Sequence, residues 1–148
     1  PEQSFDDLKT VEFFDGKQFQ PDIHKTASLC ADAGTEMSLT PITSGPYAGR
    51  YCYIYTKRNT GNKIYARIAD SPIGPFGDEH MLYYTDETGH LLGLGGREIY
   101  AYNAKAQYTL SREGELLISY NMNTLDFESH IINCELYKPR FIKIRRLS

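Results

Sequence analysis

The sequence has no tryptophan, few cysteines and no long hydrophobic run, and each absence narrows what the chain can be. Its three cysteines are widely spaced and form no CxxC pair, which argues against a zinc site and does not require a disulfide framework. No stretch approaches the roughly 18 apolar residues that a membrane-spanning helix needs. With a net charge of −3 and a single short basic cluster, the chain also lacks the charge pattern of a nucleic-acid-binding protein. We expect no metal, no cofactor, no membrane span and no nucleic-acid partner.

Tyrosine and phenylalanine are plentiful instead, with twelve and seven copies in 148 residues. Hydrophobic residues make up 41% and charged residues 24% of the chain, as in globular proteins that bury a core. Tyrosine is typical of half-buried strands, and it also stacks on sugars and other flat ligands. The chain begins at Pro1 without an initiator Met, so we expect a processed or excised product.

Strand patterns become dense from Glu36 onward. Tight turns rich in Gly, Asn and Pro separate them, because these residues supply the special backbone angles that reversals need. The patterns predict strands at 36–43, 51–58, 63–70 and 80–85, then at 99–109, 115–122 and 131–146, the last broken near Pro139. Before them we expect a short strand at Val11–Phe14 and a loop or brief helical turn from His24 to Ala33.

Two similar β units follow from this pattern, with no helical pattern of convincing length. We predict an N-terminal extension or partial blade at 1–34, a β-propeller blade at 35–92 and a closing blade at 93–148. The glycine-rich stretch Gly93–Gly96 is interpreted as a linker, because it lacks the strand and helix context of a phosphate-binding loop. Cys52 alternates with tyrosines inside a predicted strand and is expected to be a small core residue.

Three segments of the first unit carry a family resemblance: Glu36–Pro41, Arg50–Thr56 and the "SPIGPF" turn Ser71–Phe76. They resemble the blade of five-bladed β-propeller glycosidases, the arabinanase and xylosidase superfamily. In the second unit, Tyr102–Gln107 and Leu116–Asn123, together with the "YKPRF" segment at 137–141, look like the closing blade of uncharacterised secreted bacterial proteins related to that superfamily.

The resemblance implies an all-β fold of antiparallel four-stranded propeller blades. The chain has room for two to three blades, so it would form an incomplete five-bladed propeller. Its open sheet edge would be covered by the N-terminal segment, by missing N-terminal blades or by a second copy in a homo-oligomer. The resemblance also implies a bacterial protein with an extracellular or periplasmic location.

The same resemblance implies a catalytic role for Glu36, whose place in the motif is that of the general acid. Glycosidic cleavage needs an acid and a base across one bond, and the acidic partners of Glu36 would lie in blades that this chain lacks. From the residues alone, the favoured interpretation of Glu36 is a strand-start carboxylate held by neighbouring backbone or by an arginine.

Five further residues are candidates for binding a carbohydrate. Amide and ammonium groups recognise sugar hydroxyls, and turn or strand-end roles are the alternative for the asparagines. Related closing blades often carry a His at the place of the candidate glutamine, and Gln can only hydrogen-bond there. A structural salt bridge is the alternative for the arginine. The five candidates are Asn103, Lys105, Gln107, Asn121 and Arg140.

These observations lead to one function hypothesis and two alternatives. In the first, this chain is part of a glycoside hydrolase of the five-bladed propeller kind that acts on polysaccharide or oligosaccharide. The chain would be inactive on its own. The second is a non-catalytic carbohydrate-binding module. The third is a structural fragment that self-associates through its exposed blade edges.

Overall fold

The computed structural model describes residues 10–57, 61–87 and 99–145. They form nine β-strands in three antiparallel sheets, together with one short α-helix. The chain divides into two compact units, residues 1–31 and 32–148. Across these ranges, no helix is long and apolar enough to cross a membrane.

The first unit contains a small hairpin. Strands β1 (Phe13–Phe14) and β2 (Phe19–Gln20) pair across a turn. In this turn the Asp15 carboxylate accepts hydrogen bonds from the backbone N–H groups of Lys17 and Gln18, each at 2.9 Å. Gly16 has a φ of 99° there, a conformation that favours glycine. A 3₁₀ turn at Ile23–Lys25 follows, which confirms the expected brief helical turn.

The second unit opens with a four-stranded sheet. Its strands follow one another in space as they do in sequence, which is the meander of a propeller blade. Each predicted strand is confirmed, with bounds that differ by up to three residues at one end. The strands are β3 (Ala33–Pro41), β4 (Tyr51–Lys57), β5 (Lys63–Ala69) and β6 (His80–Tyr84).

A three-stranded sheet completes the described part of this unit. It consists of β7 (Ile99–Ala106), β8 (Glu115–Thr124) and β9 (Arg140–Arg145), with helix α1 (Phe127–Ile132) between the last two strands. The two sheets pack through one face each, and the core between them is aliphatic apart from a few aromatic rings. Its fully buried members include Ile54 and Ile64 from the first sheet and Ile118, Tyr120 and Met122 from the second.

The prediction of a strand over 131–146 was wrong in its first half. Residues 131 and 132 end α1, and the strand begins only at Arg140, directly after Pro139. Asp126 starts the helix by accepting a 2.6 Å hydrogen bond from the Ser129 hydroxyl. The two isoleucines at the helix end have strand-like side chains but point largely into solvent, so their composition misled the prediction.

The "SPIGPF" motif forms a turn between β5 and β6. Gly74 adopts a φ of 84°, and the Gly77 N–H donates to the Ile68 carbonyl at 2.9 Å, which ties the turn to the sheet. Phe76 then packs against Tyr53, with ring centroids 5.0 Å apart. The motif is therefore a structural element of the first sheet.

A charged network lies beside this turn. The Tyr55 hydroxyl donates to Glu79 at 2.7 Å and accepts from Arg67 Nε at 2.9 Å, while Lys57 Nζ lies 2.9 Å from Glu79 Oε1. Burial works against ionisation of Glu79, yet the hydrogen bonds from Lys57 and Tyr55 hold its pKa below the usual value.

The fold is all-β and built from antiparallel sheets of the propeller-blade type, as predicted. Cys52 is 6% exposed in the core, and burial raises the pKa of its thiol to about 11, which confirms its role as a small core residue. The stretch Gly93–Gly96 and the boundary at 92/93 lie outside the described residues. The three predicted domain ranges stay predictions.

Candidate functional site

One face of the second sheet is polar and aromatic. Tyr100 pairs with Asn123 across the strands, and Tyr102 with Asn121, so the four side chains share a face. All four are half-buried, whereas Ala101 between the tyrosines is fully buried in the core. The alternation of the strand thus directs two tyrosines and two amides away from the core.

The innermost strands of the two sheets lie side by side at this face. Ser38 of β3 accepts a 2.7 Å hydrogen bond through Oγ from the Ala106 backbone N–H of β7. Each strand is also irregular here: the register of β3 shifts between Ala33 and Met37, and that of β7 between Tyr102 and Lys105. Bulges of this kind re-aim side chains and are common beside active sites.

Glu36 lies on the β3 irregularity and is exposed. It lies two residues before Ser38, whose hydroxyl contacts β7. Burial raises the pKa of Tyr100 and of Tyr102, and the charges of Tyr137 and Glu36 raise it further. A side-chain hydrogen bond with Asn121 lowers the pKa of Tyr102 in part. Two predicted site residues, Glu36 and Asn121, therefore both act on the Tyr102 hydroxyl.

Asn103 lies in the bulge of β7, and Lys105 follows it. Asn103 has a φ of 58°, and its side-chain Oδ1 is buried without a hydrogen-bond partner in the described chain. Lys105 pairs across the strands with Ser119 and thus lies on the polar face, one bulge away from Tyr102. Both residues belong to the strand that contacts β3 through the Ala106 N–H.

Gln107 and Arg140 make hydrogen bonds within the second sheet and its connections, Gln107 to a side chain and Arg140 to backbone carbonyls. The Gln107 amide donates to Ser119 Oγ at 2.6 Å, at the end of β7. The Arg140 guanidinium donates to the carbonyls of Glu135 and Lys138, each at 3.1 Å, and so fixes the turn that carries Tyr137. Its observed partners are these carbonyl oxygens, not the salt bridge offered as its alternative.

Sequence reasoning missed the tyrosines of this site. Tyr100 and Tyr102 are two residues apart in a predicted strand, and this spacing places both side chains on one face of the strand. The sequence could therefore have indicated that the two tyrosines lie together. Tyr137 gave no such signal, because its position depends on a turn between α1 and β9, where the sequence predicted a strand that breaks only near Pro139.

Two other partly buried carboxylates are engaged elsewhere. Glu79 belongs to the network with Tyr55, and Glu87 accepts hydrogen bonds from the hydroxyls of Tyr83 and Tyr120 between the two sheets. Burial, and then the bond to Glu87, raises the pKa of the Tyr120 hydroxyl. Within the described ranges, no group of three His, Cys, Asp or Glu side chains is arranged to hold a metal ion.

A separate cleft of about 940 Å³ opens between the two sheets. None of the six predicted site residues lines it. Its apolar walls are formed by Cys52, Ala66, Ile68, Leu82, Leu116 and Ile144.

Comparison with known proteins shows similarity to a protein family and to solved structures. A family model described as "Domain of unknown function (DUF5005)" matches residues 4–146. The crystal structure of a "putative hydrolase" from Bacteroides ovatus is similar, with a TM-score of 0.54 and 25% sequence identity over 74% of this chain. The match covers only 26% of that protein, so this chain corresponds to about a quarter of its length. No curated protein matches.

Proposed function

We propose that this chain, which belongs to the DUF5005 family, supplies one wall of the carbohydrate site of a glycoside hydrolase that acts on polysaccharide or oligosaccharide. Its similarity to a Bacteroides ovatus protein described as a hydrolase supports the reaction class, and the site supports the substrate class.

The placement of an exposed carboxylate beside paired tyrosines carries the proposal. Glu36 lies on the irregular part of β3, which contacts β7 through Ser38, and its charge acts on the hydroxyls of Tyr100 and Tyr102. The C–H face of a sugar ring packs on tyrosine, and its hydroxyls take hydrogen bonds from amides such as Asn121. An aromatic surface with a carboxylate at its edge suits a sugar whose glycosidic oxygen needs a proton.

In the proposed mechanism Glu36 donates the proton to the leaving glycosidic oxygen. The opposing carboxylate, which acts as base or nucleophile, comes from another part of a longer protein, so this chain alone binds without cleaving. The hydroxyls of Tyr100 and Tyr102 are protonated at neutral pH, as tyrosines ordinarily are and as their raised pKa values reinforce, so they can donate hydrogen bonds.

The remaining predicted residues take supporting roles in this proposal. Lys105 and Asn103 offer polar groups to sugar hydroxyls next to the bulge of β7. Gln107 and Arg140 keep the strand end and the Tyr137 turn in place through the contacts described above. A protein with this substrate acts where polysaccharide is found, which favours the extracellular or periplasmic location.

Paired substitutions test the proposal in this chain and in a longer protein that contains it. Tyr102→Ala removes a stacking surface, so we expect about tenfold weaker oligosaccharide binding by calorimetry. Glu36→Gln keeps shape and hydrogen bonding, so binding should change by less than about threefold, while hydrolysis by the longer protein falls at least about 100-fold. Glu113→Gln, an exposed carboxylate on the β7–β8 connection, is the matched control.

A glycan-binding module is the second candidate. It is favoured because Glu79 and Glu87 are engaged in networks of their own rather than with Glu36. Hydrolysis that survives Glu36→Gln, together with binding lost in Tyr102→Ala, would select this function. Unchanged binding in Tyr102→Ala would contradict both.

A further inference from the structure

A row of aromatic rings leads away from the candidate site. The Tyr137 ring lies 4.8 Å from the His130 ring, and Phe127 lies 6.4 Å beyond, measured between centroids. The Tyr137 N–H donates to the carbonyl of Met122, which lies between Asn121 and Asn123 on β8, so the row begins beside the polar face of the site. We call Tyr137, His130 and Phe127 the aromatic row.

The backbone of Tyr137 is held in an unfavourable conformation. Its φ is 64°, and among the described residues Asn103 is the other non-glycine residue with a positive φ. Both lie in the same region. Such residues persist where surrounding contacts fix them and are frequent at ligand sites. Here Arg140 holds the turn, and the Tyr137 N–H donates to the Met122 carbonyl at 3.2 Å.

The row is exposed although it is apolar. Phe127 is 76% and Tyr137 is 54% exposed, and the Nδ1 of His130 between them is buried without a partner in the described part of the chain. Apolar surface of this kind marks a binding site when it is contiguous. Its continuity with the tyrosines around Glu36 points to an extension of the same site.

We infer that the aromatic row extends the sugar site, so that the ligand is an uncharged oligosaccharide of at least three rings; this inference rests on the proposed function. The three rings contact one another in sequence, with centroids 4.8 and 6.4 Å apart, and so form a continuous aromatic surface. Glu36 at one end disfavours acidic sugars, and the charges of Glu135 and Lys138 beside Tyr137 offset each other in a salt bridge. The row thus presents stacking surface without net charge.

Calorimetric titration with neutral xylan, mannan and arabinan oligosaccharides of one to six units tests the inference. For the wild-type chain we expect affinity to rise with length up to at least three units. Phe127→Ala should weaken binding of the longer oligosaccharides about three- to tenfold and leave the shorter ones unchanged. Ile132→Ala is the matched control, because Ile132 is 72% exposed on the same helix and is not part of the row.

Different results separate this inference from the proposed function. Affinity that stops rising at one or two units would overturn the extended row and leave the proposed function standing. Equal effects of Phe127→Ala and Ile132→Ala would do the same. Binding of no oligosaccharide at any length would overturn both. Sedimentation in which Phe127→Ala abolishes self-association without changing sugar affinity would assign the row to a protein contact and overturn the inference.

Discussion

The two sheets of the second unit treat their outer faces in opposite ways. The first sheet buries Tyr53 and Tyr55 on the face away from the core, at 8% and 0% exposure, against Phe76 and the Glu79 network. On the second sheet the corresponding face keeps Tyr100 and Tyr102 half-buried beside an exposed carboxylate. Tyrosines of similar spacing thus serve stability in one sheet and are available to a ligand in the other.

The difference teaches that tyrosine content alone does not locate a sugar site. Tyr55 has both of its hydroxyl contacts supplied by the protein, from Glu79 and Arg67, so a ligand would have to displace a charged network. The face that has an exposed carboxylate at its edge and no such network is the one that suits recognition.

The largest expected effect comes from truncating one tyrosine on each face. Tyr55→Ala should lower the free energy of unfolding by about 3–5 kcal/mol, because it empties a buried site and removes the partner of Glu79. Tyr102→Ala should cost about 1 kcal/mol or less, because its ring is half-exposed. Urea denaturation compares the two variants. Equal losses would contradict the distinction between the faces.

Neutralising one carboxylate on each face should give a smaller, pH-dependent effect. The folded-state pKa of Glu79 is lowered, so its ionised form stabilises the fold above the unfolded value, near 4.5, and this stabilisation is lost as pH falls through the folded pKa. Glu79→Gln should therefore cost about 1–3 kcal/mol at pH 7 and progressively less below pH 4.5.

Glu36→Gln is the control for that experiment and should leave stability nearly unchanged at pH 7, because Glu36 is exposed. Thermal or urea unfolding from pH 3 to pH 7 gives both curves. A Glu79→Gln difference that stays constant across this range would contradict the assigned network.

The smallest expected effect concerns the link between the sheets. Ser38→Ala removes the hydroxyl that accepts from the Ala106 N–H, so it should cost about 0.5–1.5 kcal/mol and speed hydrogen exchange at the Ala106 amide. The internal reference is the backbone N–H of Gln107, which donates to the Leu117 carbonyl and should exchange at an unchanged rate. Equal acceleration at both amides would indicate general loosening rather than loss of one bond.

Most of the fold was predictable because strands and their turns are local features. The alternation in β4 and β8 and the glycine-rich reversals identify the two sheets, and every predicted strand is present apart from the first half of the last one. The six residues of α1 cover fewer than two turns, too few to produce a helical period, and Ile131 and Ile132 resemble strand residues.

The candidate site was predictable only in part. Glu36, Asn103, Lys105 and Asn121 were named from motifs, and they lie on the three strands β3, β7 and β8. That Tyr137 lies beside β8 depends on a turn held by Arg140, and no local pattern encodes the hydrogen bond from its N–H to the Met122 carbonyl. The role of a residue that depends on contacts with residues far away in the sequence becomes visible only in the folded structure.

The bulge in β7 has a consequence for how the strand tolerates length changes. Ala101 and Ala104 are both fully buried although three positions apart, since one extra residue between Tyr102 and Lys105 resets the in-and-out alternation. Deleting Asn103 would therefore restore strict alternation, with Ala101 and Ala104 still facing the core and Tyr102 and Lys105 still on the polar face. The bulge thus makes β7 tolerant of losing one residue at this point without exchanging its two faces.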